Sequence, residues 1–177
     1  MTQASAVTTR PTPAPGEGWS RASVVALAIV LIVGMSLGWA RRGAALTVYG
    51  DDAIYLTLAQ SLTTGHYRDD FLLGAPPHAQ YPPGMPAWLL IVRLVAGAGL
   101  DPAMGANLLL VAVTALLLAD SVRRFSTPWV GVVAAAIPMF HPALFSLASQ
   151  LRSELPFLAC CACALWLSLV NGSRGSP

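Results

Sequence analysis

The chain is predicted to be an all-α integral membrane protein of about four transmembrane helices, with a large loop after the first. Hydrophobic residues make up 55% of the 177 and charged residues only 10%. Mean hydropathy is +0.63. Both values belong to membrane proteins rather than to cytosolic domains. The charges are also unevenly placed, with arginines near the ends of apolar runs as topology determinants would be.

The elements follow in chain order. Residues 1–20 are rich in Thr, Pro, Ala and Ser, and Thr9-Arg10-Pro11-Thr12-Pro13-Ala14-Pro15 cannot hold a helix. This stretch is predicted to be a disordered cytoplasmic leader. An uncharged apolar run over about Ala22–Ala40 is long enough to cross a hydrocarbon core of about 30 Å. A cleavable signal peptide would have a shorter apolar region of about 7–15 residues, and Trp39-Ala40-Arg41-Arg42 makes a poor cleavage site. The run is therefore taken as an uncleaved first span. Three more spans are predicted over about 103–119, 129–149 and 155–170. The run Pro86–Leu100 is short for a span and carries Arg93 near its middle, a cost of about 2.5–3.5 kcal/mol at a bilayer centre. It is expected to lie on the surface, with Arg93 reaching for head groups.

With that helix on the surface, residues 41–102 form one external loop and both termini face the cytoplasm, with residues 171–177 as a short tail. Arg123-Arg124 then joins Arg10, Arg21 and Arg174 inside, as the positive-inside tendency prefers, although Arg41-Arg42 falls on the disfavoured side. The net charge of +2 is too small to point to nucleic acid, and no phosphate loop, zinc-finger spacing or recognition helix occurs. Cys160, Cys161 and Cys163 lie inside one apolar run with no fourth ligand, and are read as small helix fillers. Asn171-Gly172-Ser173 matches the glycosylation sequon by letters alone and falls in the expected cytoplasmic tail.

The loop concentrates the polar chemistry. Asp51-Asp52 heads a segment whose Ile54, Tyr55, Leu58, Ala59 and Leu62 repeat at helical spacing, with Gly65 as its terminator. Either carboxylate is placed to cap that helix, but a cap needs one and the chain has two beside a membrane. Tyr81-Pro82-Pro83-Gly84 is conformationally stiff, because each proline fixes φ and restricts the residue before it. It is either a loop-to-helix junction or a wall that holds Tyr81 against a pocket. Arg152-Ser153-Glu154 is either a salt-bridged turn or a site facing a lipid-linked phosphate. His141-Pro142 reads as a kink in the third span. In the four-span arrangement Asp51, Asp52, His78, Tyr81, Arg152 and Glu154 all share one external face.

Taken together, Asp51-Asp52-Ala53-Ile54-Tyr55, Gly65-His66-Tyr67, Tyr81-Pro82-Pro83-Gly84 and Arg152-Ser153-Glu154-Leu155-Pro156 resemble the first external loop and a later acidic motif of GT-C fold glycosyltransferases. The branch is the one related to protein O-mannosyltransferases and bacterial lipid A aminoarabinose transferases. Many relatives have Asp-Glu where this chain has Asp51-Asp52. The resemblance implies a GT-C-like module in the cell envelope with two membrane-surface helices in its first loop, here 52–64 and 86–100. It also implies transfer of a sugar from a polyprenyl-phosphate donor to an external acceptor, with inversion at the anomeric carbon. Asp51 would be the base and Asp52 would orient it or the acceptor. Arg152 would meet the carrier phosphate, and Tyr81, His78 and Glu154 would shape the substrate site. A divalent metal near the acids would suit their hard oxygens. Because relatives are several times longer, the chain is expected to be a truncated module, inactive alone, that works with a missing C-terminal portion or a partner subunit. The competing expectation is a small non-enzymatic membrane protein, a transporter subunit or assembly partner.

Overall fold

A computed structural model of the chain describes residues 18–42, 51–148 and 150–172. Most of the predicted leader and tail, Tyr49, Gly50 and Ser149 lie outside the described residues. The described residues form helices with no named strand: α1 (Arg21–Ala40), α2 (Asp51–Leu62), α3 (Gly84–Ala96), α4 (Leu100–Arg123), α5 (Pro128–Phe140), α6 (Pro142–Ala148) and α7 (Glu154–Gly172). Among them α1, α4 and α7 are long and apolar enough to cross a bilayer, and α5 with α6 adds a fourth if the bent pair is one span.

Local chemistry sets the helix limits. The Ser20 hydroxyl accepts the Ser23 amide and caps α1, and Thr127 does the same for Val130 ahead of Pro128 in α5. Helix α3 ends at Gly97, whose φ of 93° belongs to glycine, and the chain re-enters a helix only after Gly99 at φ 142°. At 13 residues α3 is only about 20 Å long, too short to span. It starts and stops a few residues earlier than the sequence pattern placed it, and Arg93 is exposed in its last turn. Helix α4 extends beyond the predicted 103–119 at both ends, from Leu100 to Arg123. The third apolar run breaks at His141, which takes the extended geometry imposed by Pro142, and the axis bends by 49°.

Helix α4 is the centre. It packs against α1, α5 and α7 along its length and against α3 near its start. The bundle core is built from small and medium side chains, including Leu108, Ala112, Ala115, Ala119, Ala135 and Met139. Close approach is possible because glycine faces the neighbour. A Cβ on Gly131 would sit 2.7 Å from the Ala119 carbonyl oxygen, and one on Gly34 would sit 2.5 Å from the Met139 Cε. Without a strong hydrophobic drive between helices in lipid, such backbone contact is how spans associate.

Two sets of contacts fix which ends lie together. Arg123 lies over the Trp19 ring at 5.4 Å, and the Trp166 indole donates to Asp120 at 2.9 Å. The start of α1 and the ends of α4 and α7 therefore share one end, where Asp120 also accepts from Arg123 and Arg124. At the other end Arg42 pairs with Asp101 at 3.1 Å, and α2 and α3 pack over the start of α4. We call this the loop end. Arg41, Arg42, Arg68, Arg93 and Arg152 all lie there, so basic residues are not confined to the opposite end.

Candidate functional site

The loop end is assembled around a second core of Tyr55, Ala59, Met85, Leu89, Ala103 and Leu151. Neither Asp51 nor Asp52 precedes helix α2; both occupy its first turn, where carboxylates favour the positive end of the helix dipole. Adjacent helical residues point about 100° apart, so the two side chains part company. Asp52 turns inward, is 1% exposed, and accepts the Leu151 amide at 2.9 Å. Asp51 stays half-buried and accepts the Tyr81 hydroxyl at 2.9 Å. Its other carboxylate oxygen has no partner among the described residues.

The Asp52–Leu151 bond joins residues 99 apart in sequence. Arg152 follows Leu151 and Asp51 precedes Asp52, so the bond ties together two backbone turns that each carry a charged residue. Neither Arg152 nor Glu154 makes a side-chain ion pair among the described residues, which removes the salt-bridged turn as an explanation of that motif. The Arg152 Nε is buried without a partner, and Glu154 is exposed in the first turn of α7. Asn107, fully buried on α4, donates to the Gln150 carbonyl at 3.0 Å and steadies the same turn.

Tyr81 is held from three sides. The Tyr67 hydroxyl donates to its carbonyl at 2.9 Å, and its own amide donates to His78 Nε2 at 2.9 Å. The His78 ring stacks on the Tyr81 ring at 5.6 Å with an interplanar angle of 6°, while Tyr55 meets the Tyr81 ring at 5.2 Å. Because Nε2 accepts an amide, the His78 proton sits on Nδ1 and is donated to Asp69 at 2.5 Å. With its side chain 4% exposed and both nitrogens used, His78 lies behind Tyr81 as its support. The sequence placed His78 with the substrate-binding groups and Asp52 with the catalytic ones. The geometry gives both a positioning task, because neither offers a free polar atom at the surface.

The Tyr81 phenol is held above its ordinary pKa, first by the hydrogen bond to Asp51, then by burial and by the charges of Asp51 and Tyr55. Burial, then Tyr55 and Asp69, raise Tyr67 as well. Since the folded value for Tyr81 is raised, its contribution to stability is whole below the unfolded phenol pKa of about 10 and is lost as pH climbs through the folded value. Tyrosinate absorbance, taken as the difference between the parent and Tyr81→Phe, should titrate above pH 10 and move down toward it in Asp51→Asn. An unmoved midpoint in Asp51→Asn would show that the Tyr81–Asp51 bond does not set the phenol.

Pro82 and Gly84 of the corner line an apolar groove of about 670 Å³. Met85, Trp88 and Ile91 form one wall, and Ser153, Phe157, Cys160 and Cys163 form the other. The three cysteines are free and exposed, on the outside of α7 rather than in its packed face. No group of three His, Cys, Asp or Glu side chains able to hold a metal occurs among the described residues. Asp51 and Asp52 are directed to different partners, so the acids at this site do not fit a divalent ion.

Comparison with protein-family models, curated proteins and solved structures finds no match to this chain. Its functional reading therefore rests on the residues themselves.

The sequence did not single out Asp69, Asn107 or the backbone of Leu151. Asn107 carried a signal, a lone amide inside an apolar run. Asp69 had only its place in a second Asp-Asp pair, and a backbone amide has none.

Proposed function

We propose that the chain is the N-terminal module of a GT-C-type glycosyltransferase that moves a sugar from a polyprenyl-phosphate carrier to an acceptor hydroxyl on the external face of a cell membrane. In this reading α1, α4, the α5–α6 pair and α7 are its four spans, and the loop end faces outward. The observation that carries it is the Asp52–Leu151 bond, which ties the turn that carries Arg152 to the turn of α2 that presents Asp51 to Tyr81. The lining of the apolar groove includes the chain neighbours Pro82, next to Tyr81, and Ser153, next to Arg152. An anionic headgroup at Arg152 with its hydrocarbon tail along α3 and α7 satisfies both chemistries at once.

The reaction follows from that pose. The acceptor oxygen attacks the anomeric carbon from the side opposite the phosphate. Asp51 takes the hydroxyl proton on its unpartnered oxygen as the bond from carbon to phosphate oxygen breaks. Polyprenyl phosphate leaves, its added charge held by Arg152, and the anomeric configuration inverts. Tyr81 keeps Asp51 in one rotamer, and His78, Asp69 and Tyr67 keep Tyr81 in place.

The test uses membranes of the source cells, where any further portion or partner subunit is present. Labelled polyprenyl-phosphate hexoses and pentoses serve as donors, and release of free polyprenyl phosphate is the readout. The share of release that disappears on deleting the gene should fall by about 10²–10⁴ in Asp51→Asn, as loss of a general base does. Release that survives deletion unchanged, or that Asp51→Asn leaves intact, would reject the proposal in favour of a non-enzymatic membrane protein.

A further inference from the structure

A second apolar groove, of about 590 Å³, lies on the opposite side of α3. Trp88 and Ile91 line both grooves, so α3 acts as the ridge between them. This one is closed by Trp39 from α1, by Val95 from α3, and by Gly105 and Leu109 from α4. Its walls continue directly into the exposed apolar faces of α3 and α4, where Val95 and Leu109 are uncovered. The medium against those faces is hydrocarbon if α4 spans the bilayer, as its length and composition allow.

The mouth of this groove is charged. Arg42 lies over Trp39, with its guanidinium carbon 3.8 Å from the ring centroid. Its Nε pairs with Asp101 at 3.1 Å and its Nη1 donates to the Trp39 carbonyl at 2.9 Å. Its Nη2 has no hydrogen-bond partner among the described residues. Arg41 follows Trp39-Ala40 in the chain just before Arg42, and Asp101 is the one acid in the described lining of the groove. Arg41 and Arg42 are two of the five arginines at the loop end, which the positive-inside tendency leaves unexplained when that end is external. A cation stacked on an interfacial tryptophan, above an apolar slot open to lipid, matches the two halves of an anionic amphiphile.

From this we infer that the groove between α1, α3 and α4 is a binding site for an anionic glycerophospholipid of the surrounding bilayer. Its phosphate would sit at Arg42 and one acyl chain along Trp39, Ile91 and Leu109. The site is separate from the carrier groove and does not depend on sugar transfer. Asp101 has a defined part in it: the carboxylate competes with the lipid phosphate for Arg42.

Native mass spectrometry of the full chain, delipidated in detergent and given equal amounts of phosphatidylglycerol and phosphatidylcholine, tests this. The first adduct should favour phosphatidylglycerol roughly fivefold, the effect of one basic group beside an anionic lipid surface. Arg42→Gln should bring the ratio to about one, while Asp101→Asn should raise it, because the competitor is gone. Gly105→Phe should remove the adduct with Arg42 still in place, since even a Cβ there would come within 3.6 Å of the Trp39 ring and a larger side chain must enter the slot. A parent without preference overturns the inference. So does a preference that survives Arg42→Gln, or one that Arg42→Gln and Asp101→Asn both reduce, which would mark the ion pair as structural only. If Gly105→Phe fails to fold, the two charge variants decide the matter by their opposite signs.

Discussion

Replacing Asp52 with alanine is expected to unfasten the loop end from the bundle and to lower stability by about 1–3 kcal/mol. The residue is 1% exposed and Leu151, whose amide it accepts, is fully buried. Removing the carboxylate leaves a buried N–H with neither protein nor water to bond, which costs far more than a hydrogen bond returned to solvent. Asp52→Asn keeps an acceptor oxygen in place and should cost much less. Amide hydrogen exchange gives the sharpest readout. The Leu151 amide should lose its protection in Asp52→Ala, keep most of it in Asp52→Asn, and stay protected in Asp51→Asn. Equal protection in all three would mean that the 2.9 Å bond does not hold the turn.

The second large effect is expected in the bundle. Gly131→Val would place a branched side chain where even one Cβ comes within 2.7 Å of the Ala119 carbonyl oxygen and 3.2 Å of the Trp19 ring. The first obstacle is backbone, so it cannot rotate away and α5 must separate from α4. Overpacking of this kind costs about 1–3 kcal/mol, and in lipid the lost helix contact adds to it. Gly34→Val is the matched control. Its nearest obstacle at 2.5 Å is the far end of the flexible Met139 side chain, although Met139 Cβ and its carbonyl oxygen follow at 3.0 and 3.1 Å. Denaturation in mixed micelles, followed by helical circular dichroism, should show the larger loss for Gly131→Val. The reverse order would contradict the assignment of the α4–α5 contact as the tighter one.

These two contacts also mark what could and could not be seen in the amino-acid sequence. The apolar runs announced α1, α4, the α5–α6 pair and α7, because length and hydropathy are properties of contiguous residues. The break at His141-Pro142 was visible for the same reason: proline restricts its own neighbour. The limits of α4 were not, because Asp101 and Asp120-Ser121-Val122-Arg123 interrupt the apolar run without breaking the helix. In the site, the Asp51-Asp52 pair and the Tyr81 corner stood out by composition. Which carboxylate faces inward was hidden, since it depends on a backbone amide 99 residues away. Likewise His78 looked like a surface ligand until Asp69 and the Tyr81 amide were seen to use both its nitrogens.

The measurement that bears most directly on the proposed function is carrier binding. A polyprenyl phosphate with a photoreactive group in its first isoprene units would be added to the full chain in nanodiscs, irradiated, and the labelled peptides mapped. Label is expected on Met85–Trp88 and Phe157–Cys163, the two walls of the groove whose lining includes Ser153, next to Arg152. In Arg152→Gln it should fall roughly tenfold or more, the loss of a hydrogen-bonded charge pair. Label that is unchanged in Arg152→Gln, or that appears instead at Trp39 and Leu109, would contradict a carrier site at the Asp51–Arg152 junction.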